Sequence, residues 1–252
     1  MKRYCLYLFI LIGISCSAEL KAQKNGTVYK GNDPAVRYTG RTLVSPDGSV
    51  AFDWVGTYLE TRFTGGKLSV KVSETGTSYY NVFVDGKLHK VVKVCGTDTL
   101  IHLVSGIDKR IHSLKIQKRS EGEFGKTTVH QFVLSGSGRL AKEPAVRTRH
   151  IEFIGNSLTC GYGTDGKHRD EPFLVETENC NLTFASMVAR YYDADYTLIA
   201  HSGRGAARNY GDSVRVSKVT MKDRMLNTFD EDLTHKWNFK EYRPDLVVIN
   251  LG

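Results

Sequence analysis

Ser157 is the residue of this chain whose setting most suggests chemistry. It stands in Ile151-Glu-Phe-Ile-Gly155-Asn-Ser157-Leu-Thr-Cys160-Gly-Tyr-Gly163, where a short apolar run ends on glycine and hands one serine to a turn. A serine just past a strand's C-terminal end, where a helix begins, can expose its hydroxyl as a nucleophile while nearby amides face a developing oxyanion. The same residue type at that place also serves, and more often, as a plain helix N-cap. A second segment, His201-Ser-Gly203-Arg-Gly205, follows another apolar run. Gly203 has no Cβ and can bring a backbone N–H close to a reacting group. A serine nucleophile also needs a base, usually histidine. His168, His201 and His235 lie in the C-terminal half, and His89, His102, His112, His130 and His150 in or beside the N-terminal half. None sits in a loop after a late strand with a carboxylate a few residues before it. His201 ends its own strand, which points to packing or hydrogen bonding beside the site. No CxxC or HExxH spacing exists, so neither a metal site nor a metal cofactor has support in the sequence.

These segments need elements to hold them. From Val28 to about Leu140 the pattern is short β-rich runs at 50–54, 58–63, 68–72, 79–84, 90–94, 100–103, 112–117 and 129–134. Leu68, Val70 and Val72 alternate with Ser69 and Lys71, the period-two mark of a strand with one wet face. Eight such runs predict a β-sandwich or jelly roll. Asp85-Gly86 is a strong hairpin signal, and Gly65-Gly66 reads as a further turn. Around 142–149 the chain turns polar and carries Pro144, which suits a linker. Beyond it the pattern changes in kind. Runs at 151–154, 196–200 and 244–251 read as strands, and Asn181 to Tyr192 places Phe184, Met187, Val188 and Tyr191 at helical spacing. Strands alternating with helices predict a parallel α/β sheet, whose ligands gather at the strands' carboxyl ends.

Composition bounds the rest. At 252 residues, 40% apolar and 25% charged, the chain has the balance of a globular protein of one large or two ordinary domains. Met1-Lys2-Arg3-Tyr4, an apolar stretch from Cys5 to Ile14 and small residues up to Ala22 have the layout of a secretory signal, too short to span a bilayer stably. Export to the periplasm or the extracellular space is therefore expected. Lipid attachment at Cys16 is an alternative, although Gly13 stands three positions before it where a large apolar residue is usual. No other stretch is long and apolar enough for a transmembrane helix. The net charge of +8 is spread over Lys67, Lys71, Lys87, Lys90, Lys93, Lys109 and Arg110 among strand-like segments, with no block of like charge, so no nucleic-acid partner is expected. Cys95, Cys160 and Cys180 follow the leader, and export permits a Cys160–Cys180 disulfide that would leave Cys95 free.

Taken together, Gly155-Asn-Ser157, Gly203 and Val248-Ile-Asn-Leu-Gly252 resemble successive blocks of the SGNH (GDSL-type) hydrolases. More narrowly the chain resembles carbohydrate esterase family 2, whose members deacetylate plant polysaccharides. The segments that carry the likeness are Phe52-Asp-Trp54, Tyr79 to Gly86, Glu121-Gly-Glu-Phe-Gly125, Ile151 to Gly163, Ser202 to Gly205, Arg208 to Asp212 and Pro244 to Gly252. The resemblance implies a signal peptide at 1–22, a jelly-roll domain at 24–141, a linker at 142–149 and, from 150 to 252, an SGNH-type parallel-sheet domain incomplete at its C-terminus. It implies Ser157 as nucleophile, the amides of Ser157 and Gly203 as oxyanion donors, and no metal. The implied substrate is an acetylated xylan- or mannan-type polysaccharide or oligosaccharide, cleaved through an acetyl-serine intermediate. Asn156 stands where the wider superfamily has aspartate, a position outside the catalysis. The family's oxyanion asparagine and catalytic histidine are expected beyond Gly252, which assigns the esterase activity to a longer parent. Arg204, Arg208, Asn209 and Tyr210 could bind sugar hydroxyls or tie the domains together. The competing reading is a non-catalytic carbohydrate-binding β-sandwich with an inactive hydrolase remnant.

Overall fold

The computed structural model describes residues 26–141 and 146–251. The signal peptide, Cys16 and the first half of the expected linker lie outside those residues. Eight strands form one antiparallel sheet: β1 (Gly26–Lys30), β2 (Val36–Thr39), β3 (Leu43–Val44), β4 (Val50–Phe52), β5 (Tyr58–Val84), β6 (Lys87–Lys118), β7 (Thr127–Ser135) and β8 (Leu140–Ala141). The dominant elements are β5 and β6, of 27 and 32 residues. They are too long to lie flat around a small core, and they curl. The end of β5 pairs on one side with the start of β6 and on the other with its end, as Asn81 shows by facing both Val91 and Gln117. The separate runs expected between 58 and 117 are segments of these two strands.

Asp85 and Gly86 form the β5–β6 hairpin turn, both at positive φ (50° and 76°) as a two-residue hairpin of this kind requires. Gly65-Gly66 is different from the expectation. It is no turn but an irregularity inside β5, where the register shifts and Gly66 takes φ of 107°. A Cβ at Gly65 would meet the Asp108 carbonyl oxygen at 2.6 Å, so two glycines here let a strand bend and a neighbour approach.

The second sheet is parallel, in the order β10-β9-β11, from β9 (His150–Gly155), β10 (Asp195–Ala200) and β11 (Leu246–Asn250). Three short helices accompany it: α1 (Ser157–Cys160), α2 (Phe184–Tyr191) and α3 (Met221–Arg224). For α2 the expected apolar stripe is not the buried one. Ala185, Ser186 and Ala189 are buried, whereas Met187 and Tyr191 (83% exposed) face out. Small side chains let the helix axis come close to β10. Phe184 keeps one contact inward, edge-on to Phe153 at 5.9 Å.

The two sheets share their cores. Val55 and Tyr58 from the first pack with Ile151, Phe153, Tyr196 and Leu198 from the second, and Trp54 packs with Ile154, Ile199 and Met221. Trp54 is thus a packing residue, and Tyr80 belongs to the core of the antiparallel sheet. Gly56 makes the close approach possible: it sits at φ 75°, and a Cβ there would come within 2.6 Å of Leu198. Polar ties surround this seam. Arg37 and Arg147 both reach Asp195 (2.7 and 2.8 Å), to which Tyr58 also donates (2.6 Å), and Arg41 donates to the carbonyls of Met225 and Asn227. Asn81 and Asn179 add a buried amide pair at 2.9 Å. An interface this apolar and this well bonded holds its two halves as one body.

Candidate active site

The site begins where β9 ends. Gly155 is needed for the tight exit, because a Cβ there would collide with the Thr159 side chain. Asn156 caps α1, its side-chain oxygen accepting from the Leu158 amide at 3.2 Å, so the cap is the asparagine and Ser157 is the first helical residue. Gly161 then closes α1 in the left-handed region at φ 88°. The turn thereby presents Ser157 half-buried and releases its side chain from capping.

Register brings the second segment alongside. Ala200 of β10 lies opposite Gly155 of β9, as does Asn250 of β11, so the loops after β9 and β10 leave the same edge of the sheet side by side. Gly203 turns at φ 72° and its carbonyl accepts from the Tyr210 amide at 2.8 Å. A cleft of about 970 Å³ opens between the loops, lined by Asn156, Ser157, Tyr162, Ser202, Gly203 and Tyr210 among others. Among the described residues no acceptor engages the amides of Ser157 or Gly203, and no partner engages the Ser157 hydroxyl. A serine hydroxyl and two free amides on one cleft are among the parts that acyl transfer requires.

The remaining expected residues separate by role. Arg204 is half-buried, Arg208 is exposed, and Tyr210 is 93% exposed at the rim. Asn209 is buried and committed to the loop itself, accepting from the Gly205 amide and donating to the Val219 carbonyl at 2.8 Å. It shapes the cleft wall, and its amide has no free donor pair for a sugar.

Among the described residues, no histidine lines the cleft. His201 is 1% exposed, with Nδ1 on the Asp230 carboxylate at 2.7 Å and Nε2 on Glu123 at 3.3 Å. Burial alone would lower its pKa, but the bonds to Asp230 and Glu123 outweigh it and push the imidazole up to about 9. A cationic ring with both nitrogens occupied is a structural ion-pair partner. His235 pairs with Asp232 on the surface. The donors of His201, Asp230 and Glu231 lie within 4.8 Å of one another, but the Arg224 guanidinium already neutralises both carboxylates at 2.9 and 2.7 Å, a poor setting for a metal dication.

Behind the cleft lies a cluster the sequence did not reveal. Glu121 and Glu178 are both fully buried, and the Glu121 carboxylate accepts from the amide of Ser202 at 2.5 Å and from its hydroxyl. Cys160 and Cys180 are free thiols, so no disulfide joins them. Cys160 instead lies with Glu121 and Glu178, and Cys180 donates to the Lys118 carbonyl at 3.4 Å. An acidic pair separated from its partners by tens of residues leaves no local signature.

The family described as "Carbohydrate esterase 2 N-terminal" matches residues 38–144. A solved family two carbohydrate esterase from Clostridium thermocellum, in complex with cellohexaose, superposes with a TM-score of 0.81 at 34% identity, over 86% of this chain and 65% of that one. That coverage is too broad to be confined to 38–144, so the likeness takes in the parallel sheet as well. The chain belongs to carbohydrate esterase family 2. Among curated family relatives, it is 34% identical over 221 residues to the cellulase/esterase CelE of Acetivibrio thermocellus, covering 88% of this chain and 26% of CelE. It is 32% identical to an acetylxylan esterase / glucomannan deacetylase of Cellvibrio japonicus, covering 84% of this chain and 59% of that protein. This family 2 chain therefore spans between about a quarter and three fifths of the length of those relatives. Among its described residues, no helix is long and apolar enough to cross a membrane.

Proposed function

We propose that the full-length protein is an exported serine esterase that removes O-acetyl groups from plant-type polysaccharides, of the xylan or mannan kind, with Ser157 as nucleophile. The observation that carries this reading is the pairing of β9 and β10 in register, which sets Ser157 and Gly203 on one cleft with both amides free. In this mechanism the Ser157 oxygen attacks the acetyl carbonyl carbon while its proton passes to a base. The Ser157 and Gly203 amides hold the resulting oxyanion. The sugar alcohol leaves with the proton, and water then releases acetate from acetyl-Ser157. His201 is held by Asp230 and Glu123, so the role of base is not given to it; the family resemblance implies a histidine for that role.

The sugar would lie against Tyr210 and the guanidinium groups of Arg204 and Arg208 at the cleft rim, an arrangement supported by their place beside Ser157. The names of the C. japonicus and A. thermocellus relatives support the substrate class. We read 1–22 as the leader, 24–141 as a β domain of the jelly-roll kind and 150 onward as the SGNH-type part. The shared core of Trp54, Val55 and Tyr58 with β9 and β10 weighs against a β domain that works alone as a binding module.

The test is acetate release by the full-length protein from acetylated xylan and acetylated glucomannan. Ser157→Ala is expected to lower kcat by at least about a thousandfold with the fold retained. Undiminished release in that variant would refute the assignment.

A further inference from the structure

One conspicuous segment of the sequence, Glu121-Gly-Glu-Phe-Gly125, belongs to the antiparallel domain, yet every residue from 121 to 124 touches the cleft's surroundings. Glu121 binds Ser202. Gly122 lies against Asp230 so closely that a Cβ would come within 2.8 Å of it. Glu123 meets His201 at 3.3 Å. Phe124 packs at 5.7 Å on Phe173, which stacks at 3.7 Å on Tyr162, a residue of the cleft wall. The segment leaves β6 and reaches across the seam between the sheets.

Glu121 occupies the decisive position in it. Its carboxylate holds the amide and hydroxyl of Ser202, the residue before Gly203, and it lies beside the Cys160 thiol, at the far end of the four-residue helix that Ser157 begins. We propose that Glu121 is a positioning residue of the esterase, whose carboxylate ties the Gly203 turn to the Ser157 helix and so fixes the aim of the two oxyanion amides. This rests on the esterase reading of the same cleft.

The surroundings hold Glu121 in place. Burial, together with the adjacent Glu121, pushes Glu178 up to about 10, so Glu178 remains a neutral acid. Burial and the same two carboxyls raise the Cys160 thiol well above its ordinary value and keep it protonated beside Glu121. Glu178 also accepts the Glu121 amide at 2.9 Å, and the buried Lys118 ammonium donates to the Glu121 carbonyl at 3.2 Å. The Glu121 backbone is pinned from both sides, and its two carboxylate oxygens take the amide and the hydroxyl of Ser202. Two oxyanion amides must hold their places to a fraction of an ångström, which two loops in separate crossovers cannot do unaided.

The experiment compares Glu121→Ala and Glu121→Gln with wild type in the full-length protein, using 4-nitrophenyl acetate turnover and hydrogen–deuterium exchange of the peptide spanning 201–206. Glu121→Ala is expected to lower kcat by about 10- to 100-fold with KM within about twofold, and to speed exchange in 201–206 at least about fivefold. In Glu121→Gln the amide oxygen still accepts the Ser202 N–H and the amide nitrogen donates to its hydroxyl. That variant should therefore keep kcat within about fivefold of wild type and exchange close to it. Unchanged exchange in Glu121→Ala overturns the proposal whatever the activity, as does a folded Glu121→Ala with wild-type kcat. Equal losses in both variants, in step with lost folded protein, also overturn it. If wild type itself releases no acetate, the esterase reading fails and the exchange result alone decides whether Glu121 anchors the turn.

Discussion

Replacing His201 by glutamine is expected to change the pH dependence of stability in a way that the geometry fixes in sign. The ring is buried between Asp230, fully buried, and the more exposed Glu123, with Glu231 at 3.5 Å and the Arg224 guanidinium on the far side of Asp230. Its pKa in the folded protein is about 9, against 6.5 for an ordinary histidine. A group whose pKa is raised on folding contributes its full stability below the unfolded value, and that contribution is lost as pH rises through the folded value. The window is therefore pH 6.5 to 9. At about 1.4 kcal/mol per pH unit the gap corresponds to about 3 kcal/mol, and the exposure of Glu123 and Glu231 to water reduces it to about 2 kcal/mol. Urea unfolding of wild type and His201→Gln between pH 6 and 9.5 measures this. The variant should be less stable by about 2 kcal/mol at pH 6, and the gap should close to below about 1 kcal/mol at pH 9.5. Asp53 and Glu178, also raised by burial, titrate in both proteins, so the difference between the curves isolates His201. Two parallel curves would refute the reasoning.

Two further outcomes follow from packing. Gly155→Ala should cost about 2 kcal/mol or more, measured by the same unfolding assay, because the new methyl collides with Thr159 at the exit from β9; Gly155→Ala with Thr159→Ala should recover part of it. Without reductant, iodoacetamide should modify, of Cys95, Cys160 and Cys180, only Cys95 in the folded protein and all three after denaturation, read by peptide mass mapping; protection of Cys160 and Cys180 in denaturant would show a disulfide instead.

The Ser157 turn was legible because its determinants are local: an apolar run, a glycine without room for a Cβ, and a capping asparagine within four residues. The hairpin at Asp85-Gly86 was legible for the same reason. Where the sequence misled, a second structure entered. Gly65-Gly66 has turn composition, but Asp108 and Ser135 approach it from neighbouring strands and make it a bend inside β5. In α2 the apolar stripe gave the wrong face because closeness to β10, which favours Ala185 and Ala189, outweighed side-chain hydrophobicity. The Cys160 and Cys180 spacing permitted a bridge, but both thiols are instead drawn into the polar seam around Glu121 and Lys118. That seam is assembled from Lys118, Glu121, Glu178 and Ser202, and pairings over such separations carry no periodicity to read.

The core shared by the two sheets has a consequence for how the chain comes into being. Trp54, Val55 and Tyr58 are synthesised about a hundred residues before the strands that cover them, and Gly56 waits equally long for Leu198. Until β9 and β10 have emerged, the nascent antiparallel sheet carries an uncovered apolar face together with Asp53, Asn81 and Arg119, which later gain bonds to Asp230, Asn179 and Glu178. Final folding of the N-terminal half is thus deferred until the C-terminal half arrives. The antiparallel sheet has a core of its own, but an incomplete translation product leaves its seam face exposed to chaperones and proteases.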